Sequence, residues 1–315
     1  MNSHVHYPFE PRHRSASYIR AGLASFLLFA PLISVNILQA LGLLWKPFAP
    51  RAFRRWNTAL AQLYWSRIAW AVETVNGVPV QYSGARLQSK ENALLICNHL
   101  SAVDTLMLLA WAEKSHRVGT VRFFVKDVLK YLPGPGWGMY FLDCIFLKRD
   151  WQADKKNLQQ TIERYKAYDD PFCWMIFPEG TRLRPSKVAE SQDRAAAKGL
   201  PLWSHVLIPH SRGVIATLAA LDEKLDAVYD ATIAYPEGIP TVAQLLRGAT
   251  PKVVMHVERW GRDELPKDRK ALVQWLEERF GAKDQRLGRL HTTGAWSTDD
   301  SRNRMEFHAL HLQST

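Results

Sequence analysis

Hydrophobic and polar positions follow different patterns before and after residue 76. In the first part, residues 21–45 form an apolar run without a charged side chain. At about 1.5 Å of rise per residue, a helix of that length can cross a bilayer. Pro31 and Asn36 interrupt the run, and proline inside a helix removes a backbone hydrogen bond. A single membrane span, a re-entrant pair and a helix in the membrane interface therefore all stay open.

An amphipathic pattern follows this run. Between residues 52 and 75, apolar side chains return every three or four positions, which predicts a helix that lies on lipid or packs on the domain. We expect residues 21–75 to form a membrane-associated helical segment. Residues 1–20 are polar and rich in His and Arg, and we expect them to form a flexible basic leader.

Beyond residue 76, short β-rich runs alternate with helical stretches. Residues 93–97 are apolar at every position, which is typical of a strand covered on both faces. We predict an α/β domain over residues 76–283, with a central mixed, largely parallel sheet flanked by helices. A helix is predicted over residues 186–198, ended by Gly199, and residues 284–315 are predicted to be a disordered tail. The predicted strands are residues 78–82, 93–97, 121–125, 144–147, 173–177, 206–208, 227–234 and 253–257.

Composition narrows the class of partner. The net charge of +11 over 315 residues favours a phospholipid surface, an acidic substrate or nucleic acid. Twelve Trp and ten Tyr favour lipid among these, because their rings prefer the boundary between apolar and aqueous phases. Basic residues flank both ends of the apolar run, which favours the cytoplasmic side for both. A mean hydropathy of −0.21 argues against a polytopic membrane protein.

Polar side chains follow the buried run at residues 93–97. Asn98, His99, Ser101 and Asp104 come directly after it. On one continuous helix, five residues would turn Asp104 about 140° away from His99, so the two can meet only across a strand-to-helix turn. The spacing of Ser101 and Asp104 is that of a capping box, so Asp104 as a helix-capping carboxylate is the simpler alternative.

A second polar block ends the apolar run at residues 173–177. It contains Glu179, Gly180, Thr181 and Arg182. Because open α/β sheets bind ligands beyond the carboxyl ends of their strands, the two blocks predict one shared cleft.

Together these blocks resemble the glycerolipid acyltransferase family, which includes lysophosphatidic acid acyltransferases. The resemblance rests on Asn98-His99-x4-Asp104 followed by the sequence FPEGTR at 177–182. Residues 145–149 (IFLKR) and 206–209 (VLIP) resemble two further blocks of that family, in the family's order. The resemblance covers residues 60–240, and residues 190–201 are similar to the subgroup with lysocardiolipin acyltransferase and its bacterial relatives.

The resemblance implies roles for these residues. His99 would act as general base on the acceptor hydroxyl, and Asp104 would orient its imidazole. Arg149, with Lys148, would bind the acceptor phosphate, although a solvated strand end is the alternative for this pair. The other residues expected to contact substrate are Asn98, Ser101, Glu179, Gly180, Thr181, Arg182 and Pro209.

The resemblance also implies an activity. It is transfer of a fatty acyl group from acyl-CoA or acyl carrier protein to a lysophospholipid, in the first place 1-acylglycerol 3-phosphate, giving phosphatidic acid. Lysophosphatidylglycerol, lysocardiolipin and glycerol 3-phosphate are alternative acceptors. We expect no metal, no cofactor besides the acyl thioester, and no nucleic acid. The enzyme would act at a membrane, the inner one in a bacterium, with its catalytic domain facing the cytoplasm.

Three alternatives stay open. Cys97 lies two residues before His99, and a Cys–His pair can form a covalent acyl carrier, although Cys97, like Cys144 and Cys173, fits a buried reduced thiol better. The family has a basic residue where this chain has His210, and Arg212 could supply that charge. The whole chain could also be a non-catalytic basic protein that binds membrane lipid or nucleic acid.

Overall fold

The computed structural model describes residues 18–168, 170–248, 252–294 and 296. Residues 1–17 of the predicted leader and residues 297–315 of the predicted tail lie outside the described residues. The helices are α1 (Tyr18–Leu41), α2 (Pro50–Trp70), α3 (Val103–Glu113), α4 (Pro135–Phe141), α5 (Trp151–Tyr168), α6 (Pro185–Ala196), α7 (Ser211–Leu221), α8 (Val242–Leu246) and α9 (Arg269–Thr293). The strands are β1 (Val80–Gly84), β2 (Ala93–Cys97), β3 (Val121–Lys126), β4 (Ile145–Leu147), β5 (Cys173–Ile176), β6 (Ala227–Ala234) and β7 (Val253–Gly261).

The seven strands form one mixed sheet in the order β1-β7-β6-β2-β5-β3-β4. All neighbouring pairs are parallel except β6 and β7, which are antiparallel. The predicted α/β class and largely parallel sheet are confirmed. Since β2, β5, β3 and β4 run in the same direction, the turns that follow them meet at one edge of the sheet.

Helices cover both faces of the sheet, so strand residues alternate between two apolar clusters. In β2, Ala93, Leu95 and Cys97 pack with α1, α2 and α3. Leu94 and Ile96 pack on the other face with α5, α7 and α9. The uninterrupted apolar run of β2 therefore reflects burial on both faces.

The strand predicted at residues 206–208 is wrong. This segment is a buried loop that joins no sheet. Side chains satisfy its backbone donors instead: Leu207 N donates to Glu179 at 3.3 Å, and Ile208 N donates to Ser191 Oγ at 2.8 Å. This segment has the apolar, β-branched composition of a strand, but side chains and not neighbouring strands accept its backbone hydrogen bonds.

The predicted carboxyl-terminal boundary at residue 283 is also wrong. α9 continues to Thr293, so residues 284–293 are helical and not a disordered tail. Leu287 and Leu290 are buried against the domain core, which holds this part of the helix in place despite its polar composition. The predicted end of α6 before Gly199 is confirmed, and Gly199 has a φ of +65°.

The amino-terminal helices pack against each other in opposite directions. Tyr64 of α2 donates to the carbonyl of Leu28, and Trp56 donates to that of Leu38. α1 continues through Pro31 without folding into a hairpin. Within the described residues, we find no helix with the length and apolarity needed to cross a membrane.

Candidate active site

The turn between β2 and α3 brings His99 and Asp104 together. β2 ends at Cys97 and α3 begins at Val103, so His99 lies in the connection at the carboxyl edge of the sheet. Its Nδ1 lies 2.9 Å from Oδ2 of Asp104, in the first turn of α3. The contact predicted from the five-residue spacing is confirmed.

The carboxylate of Asp104 is fully buried and has four hydrogen-bond donors. Oδ2 accepts the N–H groups of Leu100 at 2.7 Å and Ser101 at 2.8 Å, besides the bond to His99. Oδ1 accepts the hydroxyl of Tyr235 at 2.7 Å. A buried carboxylate without such partners would be strongly disfavoured. The donors hold it in one position, and that position fixes the plane of the imidazole.

The His99 ring is the accessible member of the pair. Its side chain is 18% exposed, and it stacks on Phe177 with ring centroids 4.0 Å apart. Because the carboxylate of Asp104 can only accept, Nδ1 carries the proton and Nε2 presents a lone pair. No described residue forms a hydrogen bond with Nε2. The arrangement can therefore accept a proton from a hydroxyl group that reaches the exposed part of the ring.

Glu179 joins the two predicted polar blocks. Its side chain is 1% exposed, with Oε1 accepting from His99 N at 3.0 Å and Oε2 accepting from Leu207 N. Burial raises the pKa of its carboxyl well above the ordinary value, and the two backbone donors oppose that rise. Both oxygens are therefore committed to holding the turn, and the predicted substrate contact by Glu179 is not supported.

Asn98 and Ser101 also hold the turn through hydrogen bonds inside the protein. Both amide atoms of fully buried Asn98 bond the backbone of Ile233 in β6, each at 2.9 Å. Ser101 Oγ donates to Pro240 O at 2.5 Å and accepts from Val103 N at the start of α3. The capping box predicted for Ser101 and Asp104 is therefore only partly formed. The polar atoms of both side chains are occupied internally, and the substrate contacts predicted for these two residues stay predictions.

The Gly180–Arg182 turn borders the same site. Gly180 is exposed with a φ of +68°, a conformation that disfavours any side chain. A Cβ there would also come within 3.2 Å of the His210 ring. Thr181 is half-buried and Arg182 is exposed. Among the predicted residues of this block, these two remain available to a substrate.

His210 is less suited to carry a positive charge than the basic residue common in the family at its position. Partial burial lowers the pKa of its imidazole, and the charges of Arg194 and Lys198 lower it further. Pro209 is buried, which does not support the substrate contact predicted for it. Arg212, the predicted replacement cation, is exposed in the first turn of α7.

Lys148 and Arg149 lie at the same edge of the sheet, beyond β4. Strands are about 4.8 Å apart, so the end of β4 is about 10 Å from the end of β5. Arg149 has a φ of +68°, and Asp154 accepts the backbone N–H groups of both residues. Their side chains are exposed. The turn thus holds two cations at the rim of the sheet, separate from the turn that carries His99.

Cys97 is excluded as a nucleophile by its surroundings. The thiol is 0% exposed, and burial raises its pKa well above the ordinary value. A covalent acyl carrier needs an accessible thiolate, so the Cys–His alternative is wrong. Cys144 and Cys173 are also buried and free, as predicted.

Comparison with known proteins identifies the class. A family described as "Acyltransferase" matches residues 79–239, and one described as "Acyltransferase C-terminus" matches residues 244–313. The chain is 32% identical to 1-acyl-sn-glycerol-3-phosphate acyltransferase 2 of Brassica napus, over 83% of this chain and 69% of that protein. It is 34% identical to lysocardiolipin acyltransferase 1 of Mus musculus, over 76% and 65% of the two chains.

A solved structure shares the fold. It is that of the 1-acyl-sn-glycerophosphate (LPA) acyltransferase PlsC from Thermotoga maritima, with a TM-score of 0.51 and 18% identity, covering 89% of this chain and 98% of that one. The family matches and the relatives define the class of this chain as an enzyme, an acyltransferase. The chain belongs to the acyltransferase family whose members include proteins named 1-acyl-sn-glycerol-3-phosphate acyltransferase and lysocardiolipin acyltransferase.

Proposed function

We propose that this enzyme transfers a fatty acyl group from an acyl thioester to the free hydroxyl of 1-acylglycerol 3-phosphate, forming phosphatidic acid. The observation that carries this proposal is the His99–Asp104 contact, with the His99 ring partly exposed at the carboxyl edge of the sheet. The names of the relatives support the acceptor class. We propose acyl-CoA or acyl carrier protein as the donor.

In this mechanism His99 removes a proton and later returns it. Nε2 takes the hydroxyl proton as the oxygen attacks the thioester carbonyl, and Asp104 stabilises the imidazolium that forms. The tetrahedral intermediate then expels the thiolate, which takes the proton from Nε2. General-base catalysis of this kind contributes roughly 10²- to 10⁴-fold. A thioester is reactive enough for direct attack, so no enzyme nucleophile is required.

Three exposed cations support an anionic acceptor. The side chains of Lys148, Arg149 and Arg182 form no ion pair within the described part of the chain. They lie at the edge of the sheet that also carries His99. Guanidinium groups can bind two phosphate oxygens at once, so we assign the acceptor phosphate to this rim.

The amino-terminal region supports contact with a phospholipid membrane. Ile33, Ile37 and Phe48 are 60%, 57% and 88% exposed, which is unusual for side chains of this size. Trp137 and Tyr140 of α4 are exposed beside α1 and border an apolar groove of about 670 Å³. We propose that these side chains contact lipid and hold the active site near its acceptor, on the cytoplasmic side of the membrane.

A panel of acceptors tests the function. Purified enzyme is assayed with one acyl-CoA and equal concentrations of lysophosphatidic acid, lysophosphatidylglycerol, lysocardiolipin and glycerol 3-phosphate. We expect lysophosphatidic acid to give the highest kcat/KM. A preference of about tenfold or more for another acceptor, equivalent to 1.4 kcal/mol, would overturn the head-group assignment. Membrane binding without turnover of any acceptor would favour a non-catalytic lipid-binding protein.

A further inference from the structure

Tyr235 contacts the catalytic pair from a distant part of the chain. It directly follows β6, and its hydroxyl donates to Asp104 Oδ1 at 2.7 Å, across a sequence separation of 131 residues. The side chain is 3% exposed. Burial, followed by the charge of Asp104, raises its pKa well above the ordinary value, so the phenol stays protonated and always donates.

Hydrogen bonds fix the carboxyl end of β6, and with it the position of Tyr235. Asn98 bonds both backbone atoms of Ile233, two residues before Tyr235, and so fixes β6 to the turn that carries His99. After Tyr235 the chain turns back, with Gly238 N donating to Tyr235 O and Ser101 Oγ donating to Pro240 O. The tyrosine is therefore held on both sides by the catalytic turn.

Oδ1 of Asp104 has this phenol as its only hydrogen-bond donor among the described residues, whereas Oδ2 has three. The phenol draws negative charge toward Oδ1 and away from the oxygen that faces the His99 ring. A carboxylate that shares its charge stabilises the imidazolium less strongly. The hydroxyl thus moderates the basicity of His99 while it fixes the carboxylate.

We infer that Tyr235 is a positioning residue for acyl transfer, which orients Asp104 and sets the pH range in which His99 is an active base. This inference rests on the proposed general-base role of His99. In Tyr235→Phe the carboxylate concentrates its charge on Oδ2, so the imidazolium is better stabilised. The acid limb of the pH–rate profile then moves to higher pH, and the freed carboxylate is less well aligned.

The test compares kcat and kcat/KM across pH in full-length wild type, Tyr235→Phe and Tyr229→Phe. Tyr229 also lies on β6 and bonds Glu91 instead of the catalytic pair, so it is the matched control. We expect Tyr235→Phe to lower kcat about tenfold, to leave KM within about twofold, and to move the acid limb up by about half a pH unit. Tyr229→Phe should leave the acid limb in place.

A second variant keeps the hydroxyl and tests the opposite direction. Site-specific 3-fluorotyrosine at position 235 is a stronger donor of almost the same shape, so the acid limb should move to lower pH. It also serves if Tyr235→Phe does not fold. Equal acid limbs in wild type and in every folded Tyr235 variant would overturn the role of Tyr235, provided that His99→Ala is inactive. Full activity in His99→Ala would instead overturn the proposed function.

Discussion

The turn that carries His99 and the cationic rim formed by Lys148, Arg149 and Arg182 use polar side chains in opposite ways. Around His99, the polar atoms of Asn98, Ser101, Asp104 and Glu179 are occupied by bonds inside the protein. At the rim, the turn of Arg149 is held through its backbone while the side chain extends into solvent. The residues of the family motifs therefore fall into two groups. Side chains of the first group form hydrogen bonds that build the site, and side chains of the second group stay free to bind substrate.

The largest expected effect comes from Asp104→Asn, which disrupts the turn that carries His99. In Asp104→Asn the neutral amide cannot stabilise the imidazolium, so we expect kcat to fall on the order of 10³-fold. Asp193→Asn, on the exposed side of α6, is the matched control. A folded Asp104→Asn enzyme with more than a tenth of wild-type kcat would contradict the distinction between the two regions.

Arg149→Ala and Arg182→Ala test the cationic rim. Each removes a charged donor from a phosphate, a contact worth about 1.5–3 kcal/mol, so KM for lysophosphatidic acid should rise about 10- to 100-fold. Thermal unfolding should stay unchanged, because neither side chain supports the fold. Arg289→Ala on α9 provides the control cation. If the rim variants lose stability and keep KM, the rim is structural.

Glu179→Gln tests whether the buried carboxylate of Glu179 supports the turn that carries His99. The amide nitrogen cannot accept, so one of the bonds from His99 N and Leu207 N is lost. We expect a loss of about 1–3 kcal/mol in the free energy of unfolding, measured in urea, with reduced kcat. Exposed Glu190→Gln should change neither quantity. Normal stability with a raised KM would instead make Glu179 a substrate contact.

The smallest effect concerns the loop that carries Leu207. His205 of this loop stacks on His291 of α9 at 5.1 Å between ring centroids, and Asp284 accepts the backbone N–H of His205. Burial lowers the pKa of both imidazoles, and the nearby Asp284 opposes this for His205. The unfolded chain then binds protons first, so stability is lost as pH falls through about 6.5.

His205→Gln should reduce that loss. Thermal unfolding is measured at about pH 7.5 and 5.5, on either side of the ordinary histidine value, with His116→Gln as control because its side chain is 88% exposed. We expect a smaller drop in Tm for His205→Gln than for wild type and the control. An equal drop in all three proteins would show that the stacked pair does not control this pH dependence.

The sequence predicted the sheet and the central pair well because both are local in pattern. Alternation of apolar runs and helical stretches was sufficient for seven strands, and the five-residue spacing required a turn between His99 and Asp104. The loop at residues 206–208 was mistaken for a strand because a buried loop and a buried strand can have the same apolar, β-branched composition. The two differ in their hydrogen-bond partners, which here are the side chains of Glu179 and Ser191.

The division of the motif residues could not be predicted, because it depends on long-range contacts. Asn98 bonds a residue 135 positions away, and Tyr235 reaches Asp104 across 131 positions. No local motif signals Tyr235, whose environment in the sequence is an ordinary strand end. Likewise, the polar composition after residue 283 gave no sign that Leu287 and Leu290 are buried.

The most direct test of the central role of His99 is thioester turnover by full-length enzyme in His99→Ala and Cys97→Ala, compared with wild type. Release of free CoA from acyl-CoA in the presence of lysophosphatidic acid is followed at saturating substrate. We predict that Cys97→Ala retains nearly full kcat and that His99→Ala loses at least about 10²-fold. Retained turnover in folded His99→Ala would contradict the general-base role.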